Sequence, residues 1–292
     1  MNKIEIILIV LIILILVLIY YNNKNSRYRH NNRHNNKKNK ISIIQSNLGN
    51  SKLQYSNIVS REKFNTISNT IPKNIYMCYK TKDIPPNIMT NWKNLNPDYN
   101  IYLYDNKMCI DFLNKYYNKM YVDIFNYIKD GPIKSDFWRV CILYEFGGVY
   151  CDVDIKPIVP IKDFMEKGVT FLTCISQDIN SQGCHDINPH LIICPPKHHV
   201  LKITIDKYIS MYQNDIKYSY LKWSIVPIFT NIFTNMFTCI KNDGIYNTKY
   251  QFLKEVDKNT TAFDNIYCYY KNKIILYNRD KSYNSKLHKF KV

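Results

Sequence analysis

At 292 residues the chain is long enough for one well-filled core and an extra anchoring segment, and too short for several large domains. Its formal charge of +17 is uneven: Lys24, Arg27, Arg29, Arg33, Lys37, Lys38 and Lys40 share one stretch without an acid, leaving about +10 on the remainder. Nine cysteines, all between Cys78 and Cys268, are odd in number, irregularly spaced and without a CxxC pair, which excludes a disulfide-framework domain and a zinc finger.

The abundance of Lys over Arg, and of Asn, Ile and Tyr, fits an AT-rich genome and is discounted before charge is read as function. A basic surface attracts nucleic acid, anionic lipid or phosphate-bearing substrates alike, so sign alone does not choose a partner. The cysteines sit in apolar runs such as Val140-Cys141-Ile142 and Ile193-Cys194 and are expected to be small buried hydrophobes in a reducing compartment.

Ile4 to Tyr21 is almost wholly apolar, with Glu5 the only charge, and is just long enough to cross a bilayer as a helix. It exceeds the apolar core of a signal peptide and no small-residue cleavage site follows, so residues 1–21 are expected to be an uncleaved, single-pass anchor. The basic cluster after the span places the body in the cytosol by the positive-inside rule, whereas the sequon Asn259-Thr260-Thr261 points to a lumen. Residues 22–70, rich in Asn, Ser and Lys, read as a solvated stem that can lie on anionic headgroups. Little aromatic interleaving marks this stem, so dedicated nucleic-acid binding is not expected.

The folded domain is expected over residues 71–292. Asn74 to Tyr79 reads as a strand. Pro85-Pro86 opens a helix that runs to about Asn94 and stops at Asn96-Pro97-Asp98. Asn100 to Tyr104 is a second strand, and helical patterns cover residues 106 to 128. Pro132 suits the first turn of a helix reaching Phe146, and Gly147-Gly148 ends it. Val149 to Cys151 is a short strand running into Asp152 and Asp154. Further strands are expected at 169–175 and 190–194, with helices near 197–213 and 226–241. This alternation predicts an α/β fold with a mainly parallel sheet, in which ligands bind beyond the carboxyl ends of strands.

Asp152-Val153-Asp154 lies at such an end. With 18 aspartates, about one Asp-x-Asp triplet arises by chance, so the triplet alone means little. Two carboxylates at that spacing can nonetheless share a hard divalent cation, which neutralises a diphosphate leaving group. Asp136 and Arg139 lie three apart on the preceding helix and so share a face, with Leu143 continuing it. Asp136 is expected to accept sugar or ribose hydroxyls, and Arg139 to balance charge or contact the donor. His185 and His198-His199 are expected on the surface or in loops, and Trp138 and Trp223 in the core or at a rim.

The twenty residues from Ser135 to Asp154 combine Ser-Asp, Arg, an apolar helix, Gly-Gly, an aromatic and Asp-x-Asp. This block resembles the signature of the DXD-containing sugar-transferases of glycosyltransferase family 32, a pattern shared by the glucosylating bacterial toxins. Ile71-Pro72-Lys73-Asn74-Ile75, Asn91-Trp92, Asn96-Pro97-Asp98-Tyr99 and Tyr102-Leu103-Tyr104-Asp105 resemble further landmarks, with weaker echoes from Asn188 to Pro196 and around Pro227. The resemblance implies a GT-A type, Rossmann-like domain, a nucleotide-sugar donor, Mn2+ or Mg2+, and retention of anomeric configuration. It implies Asp154 as direct metal ligand, Asp152 at ribose and metal-bound water, and Asp136 and Arg139 on the donor sugar, with Tyr79, Tyr150 and Asn188 completing the donor site. Tyr76, Tyr79 and Tyr277 stand where the family usually carries His, Trp and His; Asn278 and Asp280 are candidates for a third metal contact.

The sequence therefore predicts a hexosyltransferase using a UDP- or GDP-sugar and a glycan, lipid or protein acceptor. By family analogy its domain is lumenal, as in the Golgi or ER; by charge bias it is cytosolic. The alternative is an inactive membrane tether whose basic stem binds anionic lipid or nucleic acid.

Overall fold

The computed structural model describes residues 70–257 and 266–278. The expected anchor, the basic stem, the Asn259 sequon and Asp280 lie outside them. Among the described residues no helix is long and apolar enough to cross a membrane.

The strands alternate in the two-residue period expected of a sheet covered on both sides. In β1 (Asn74–Cys78), Tyr76 and Cys78 face one apolar cluster while Ile75 and Met77 face another. The same division separates Tyr150 from Val149 and Cys151 in β3 (Gly148–Cys151), and Ile192 and Cys194 from Leu191 and Ile193 in β7 (Leu191–Cys194). The first cluster is covered by α2 (Asn106–Tyr116), α3 (Lys119–Tyr127), α4 (Gly131–Phe146), α6 (His199–Gln213) and α8 (Ile225–Phe237). The second is covered by α1 (Asn87–Leu95), which buries Ile88 and Trp92, and by α5 (Ile161–Phe164).

Asn118 splits the expected 106–128 helix in two. Its side chain accepts the Met120 N–H at 3.0 Å and so caps a new helix start. Helix α4 is the central element: Asp136 through Leu143 are all buried, so no side of that stretch meets water. Gly147 and Gly148 then turn the chain. Both have positive φ, 62° and 101°, and an added Cβ would lie 2.4 Å from the Pro196 nitrogen at Gly147 and 2.7 Å from the Asn74 carbonyl oxygen at Gly148. No L side chain fits either position, so the helix-to-strand turn leading to Asp152 depends on this glycine pair.

The expected mainly parallel sheet is corrected to a mixed one. Strand β2 (Asn100–Tyr104) pairs parallel with β1, and β1 parallel with β3. Strand β7 enters antiparallel beside β3 and beside β5 (Phe171–Ile179), to which β6 (His185–Ile187) is also antiparallel. Strand β9 (Tyr250–Asp257) is parallel to β5, but β8 (Gly244–Tyr246), β10 (Ile266–Tyr270), β11 (Lys273–Asn278) and β4 (Lys156–Pro157) join by antiparallel pairing. The full order is β2-β1-β3-β7-β5-β9-β10-β11-β4. The physical reason is short connections: the β10–β11 turn is only Lys271-Asn272, both at positive φ, and a two-residue link cannot join parallel strands.

The cysteine expectation is also corrected. Seven cysteines are buried and free, but Cys184 and Cys239 form a disulfide with Cα atoms 5.3 Å apart. It ties the β5–β6 hairpin to the chain just beyond α8, where the His185 N–H also donates to the Ile240 carbonyl at 2.9 Å.

Candidate functional site

Asp152 and Asp154 emerge at the carboxyl end of β3, the Asp152 side chain 31% exposed and Asp154 half-buried. The turn is clamped from three sides. The Asp152 N–H donates to the His190 carbonyl at 3.0 Å, and the Ile155 N–H donates back to the Asp152 carbonyl at 3.1 Å. On α1, the Trp92 indole N–H donates to the Ile155 carbonyl at 3.2 Å. Tyr79, at the end of β1, reaches the same turn; burial and then the charge of Asp154 raise its phenol above the ordinary value.

Arg139 organises the interior behind the turn. Its Nη2 lies 3.0 Å from Asp152 Oδ1 and 3.1 Å from Asp136 Oδ1. Nη1 donates to the Pro189 carbonyl at 2.6 Å and Nε to the Ser135 carbonyl at 3.3 Å. The guanidinium carbon sits 4.4 Å over the Tyr150 ring, and the Tyr150 hydroxyl donates to Asp152 Oδ1 at 2.7 Å. One oxygen of Asp152 is thus fixed by two donors, which orients the carboxylate at the site surface. Asp136 is fixed from the other side, its Oδ2 accepting the Ile225 N–H at 3.0 Å from the start of α8.

The two buried partners respond differently to their surroundings. Burial disfavours the Arg139 charge, but Asp152, Tyr150 and Asp136 together outweigh it and raise its pKa. Asp136 has only a guanidinium shared with Asp152 and one backbone N–H, so burial wins and its carboxyl is pushed up to about 6.

The structure therefore brings Asp136, Arg139, Tyr150, Asp152, Asp154 and Tyr79 together, and redistributes their parts. Arg139 is 4% exposed and Tyr150 is fully buried, and both hold Asp152. Asp136, 7% exposed, serves chiefly as the partner of Arg139 and the α8 backbone. Asn188 lies on the loop beside the turn, but its amide donates to Glu255 Oε2 at 2.9 Å. Asn278, a candidate third metal contact, is 5% exposed and donates its amide to Glu255 Oε1 at 2.5 Å. The Tyr277 ring packs on Tyr267 at 4.8 Å.

The expected surface histidines are a correction. His185 and His198 are buried; the latter caps α6 and is pushed down to about 3 by burial and by His199. His199 instead meets the Tyr250 hydroxyl at 3.0 Å.

Sequence reasoning missed the buried group of Glu255, His190, Cys174 and Cys268 behind the turn. One signal was present: Gln251, Leu253 and Glu255 fall on one face of β9, so an acid shares the register of a buried leucine.

Residues 86–170 match the family described as "Glycosyltransferase sugar-binding region containing DXD motif", a span that includes α1, α4 and the whole acidic turn. Among curated proteins, the chain is similar to a mannosyl phosphorylinositol ceramide synthase of Saccharomyces cerevisiae, 33% identical over 33% of this chain and 28% of that protein. It is also similar to the initiation-specific alpha-1,6-mannosyltransferase of Candida albicans, 27% identical over 36% of this chain and 30% of the relative. The matches thus span under a third of these relatives' length. Among solved structures, the PaToxG glycosyltransferase aligns with a TM-score of 0.43 and 20% identity over 57% of this chain and 70% of its own.

Proposed function

We propose that the protein is a metal-dependent glycosyltransferase of GT-A type that moves a hexose from a nucleotide-sugar donor to an acceptor. The observation that carries this reading is the acidic turn itself. Asp152 and Asp154 project at a strand end, and one Asp152 oxygen is already fixed by Arg139 and Tyr150. Preorganised carboxylates of this kind suit a site where charge develops during reaction.

The donor set fits a hard divalent cation, Mn2+ or Mg2+, because both side chains offer carboxylate oxygens from positions two apart. Asp152 and Asp154 would hold the ion, and it would supply neutralisation of the diphosphate as the glycosidic bond breaks. The protein's own residues do the remaining work. Arg139 keeps Asp152 correctly turned, while Asp136 ties this pair to the start of α8. Tyr79, partly exposed beside Asp154, would stack on the base or sugar of the donor, and the Asn188 loop would form the adjacent wall.

The relatives' names make mannose the first sugar to test and a phosphoinositol-ceramide glycolipid the first acceptor class. Retention of anomeric configuration, and membrane attachment through residues 4–21, belong to this reading too. The Cys184–Cys239 disulfide favours an oxidising compartment, hence a lumenal rather than a cytosolic domain.

A donor screen by nucleotide release across UDP- and GDP-sugars tests the proposal. We expect release from one donor class that needs Mn2+ or Mg2+, stops with chelator and is lost in Asp154→Ala. Release unaffected by that substitution would overturn the assignment.

A further inference from the structure

Two thiols and an imidazole meet in the core behind the acidic turn. Cys174 comes from β5, Cys268 from β10, and His190 from the loop entering β7. Cys174 and Cys268 belong to the apolar cluster on the sheet face opposite Tyr150. One ligand atom of each of the three residues lies within 4.8 Å of the other two, and His190 Nε2 is 3.3 Å from Cys268 Sγ. Around a tetrahedral zinc ion, bond lengths of about 2.3 Å to sulfur and 2.1 Å to nitrogen put sulfur and nitrogen roughly 3.6 Å apart and two sulfurs roughly 3.8 Å apart. The His190–Cys268 pair already stands near that separation, and Cys174 lies within 4.8 Å of both.

The second imidazole nitrogen strengthens the case. His190 Nδ1 faces Glu255 Oε1 at 3.2 Å. Asn278 and Asn188 donate to the two oxygens of Glu255, so the carboxylate is itself held in place. A carboxylate on one imidazole nitrogen, with the other nitrogen directed at thiols, is the arrangement that orients metal-bound histidines. The group is sealed from water: Cys174 and Cys268 are fully buried, His190 3% and Glu255 4% exposed.

We infer that Cys174, His190 and Cys268 form a structural site for a soft divalent cation, zinc by ligand chemistry, with Glu255 orienting the imidazole. This site is chemically separate from the acidic turn, since sulfur and nitrogen donors select zinc whereas carboxylates alone suit Mg2+ or Mn2+. Its consequence is mechanical. The ion would tie β5 and β10 to the 188–190 loop, whose Pro189 and His190 carbonyls receive Arg139 Nη1 and the Asp152 N–H. The loop that backs the acidic turn would then be fixed by the metal rather than by side-chain packing alone.

The site does not depend on sugar transfer and is tested without activity. Full-length protein is expressed with zinc, exchanged into mild chelator and analysed for metal. We expect about one zinc per chain, as a structural site retains its ion, in wild type and in Asp154→Ala, and at least a tenfold drop in Cys268→Ser. Cobalt-loaded wild type, which needs no variant, should show thiolate-to-cobalt charge-transfer absorption. Absence of both retained zinc and that absorption overturns the site. So does zinc lost in Asp154→Ala but kept in Cys268→Ser, or a mass showing Cys174 and Cys268 joined as a disulfide.

Discussion

The region around β1 to β3 and the region around β9 to β11 use polar residues in opposite ways. Near β3 they gather at the strand's end: Asp152 and Asp154 reach the surface, while Arg139 and Tyr150 hold one of them from beneath. Near β9 they lie within strands, with Glu255, Cys268 and Asn278 buried and satisfied by one another and by His190. A strand-end site is built from residues close in sequence, whereas the buried one is assembled from separate segments. On the proposed function, the first is displayed for a ligand. The second is tied by hydrogen bonds to the loop on which the first rests.

The sharpest way to break this comparison is to remove the group that joins the two regions. Arg139→Leu leaves Asp136 and Asp152 without their shared cation and Pro189 without its donor, and should cost about 3–5 kcal/mol in chemical denaturation. A loss below about 1 kcal/mol would show that the guanidinium is an ordinary surface-type pair. Gly147→Ala comes next. With a positive φ and a Cβ driven onto Pro195 and Pro196, it should cost about 2–4 kcal/mol in the same measurement.

Glu255→Gln probes the other region. It preserves shape but gives His190 and Asn278 an amide in place of a carboxylate, and should cost about 1–3 kcal/mol by urea unfolding. Donor affinity should fall less than in Arg139→Leu, because the substituted side chain would lie behind the loop and not at the strand end. Equal losses of donor affinity would erase the distinction between displayed and supporting polar groups.

The smallest expected effect at neutral pH belongs to two buried titrating groups, whose signature is in the pH dependence read by unfolding in chelator. Asp136 is raised to about 6, so between about pH 4 and 6 the folded state binds more protons than the unfolded state, and this group's contribution falls as pH rises through that window. His198 is lowered to about 3, so its contribution is full above about pH 6.5 and is lost as pH falls toward 3. Asp136→Asn should therefore steepen the rise of stability with pH, and His198→Asn should flatten it, each within its own window.

The same contrast explains what the sequence made legible. The block from Ser135 to Asp154 was readable because one helix, one glycine turn and one strand deliver its side chains in chain order. Pro132 near the start of α4 and the Gly147-Gly148 turn are local signals, and the structure keeps both. The antiparallel half was not readable, since its β10–β11 turn uses Lys271-Asn272 without glycine. Pairing of Cys184 with Cys239 spans 55 residues and leaves no local trace. His190 carries no ligand spacing in sequence; only the curl of β5, β9 and β10 brings it to two thiols. The spacing puts Arg139 on one face with Asp136, and the structure pairs the two, but the hold of Arg139 on Pro189 and Tyr150 depends on tertiary packing.

The central claim is that the Asp152–Asp154 turn binds a divalent cation together with a nucleotide diphosphate. Calorimetric titration of GDP and UDP into wild type and Asp154→Ala, with Mn2+ and with chelator, tests it most directly. The account predicts binding of one nucleotide that is at least tenfold tighter with Mn2+, a gain absent from the variant, whose unfolding midpoint stays near wild type. Binding that ignores the metal, or an Mn2+ gain that survives Asp154→Ala, would contradict it.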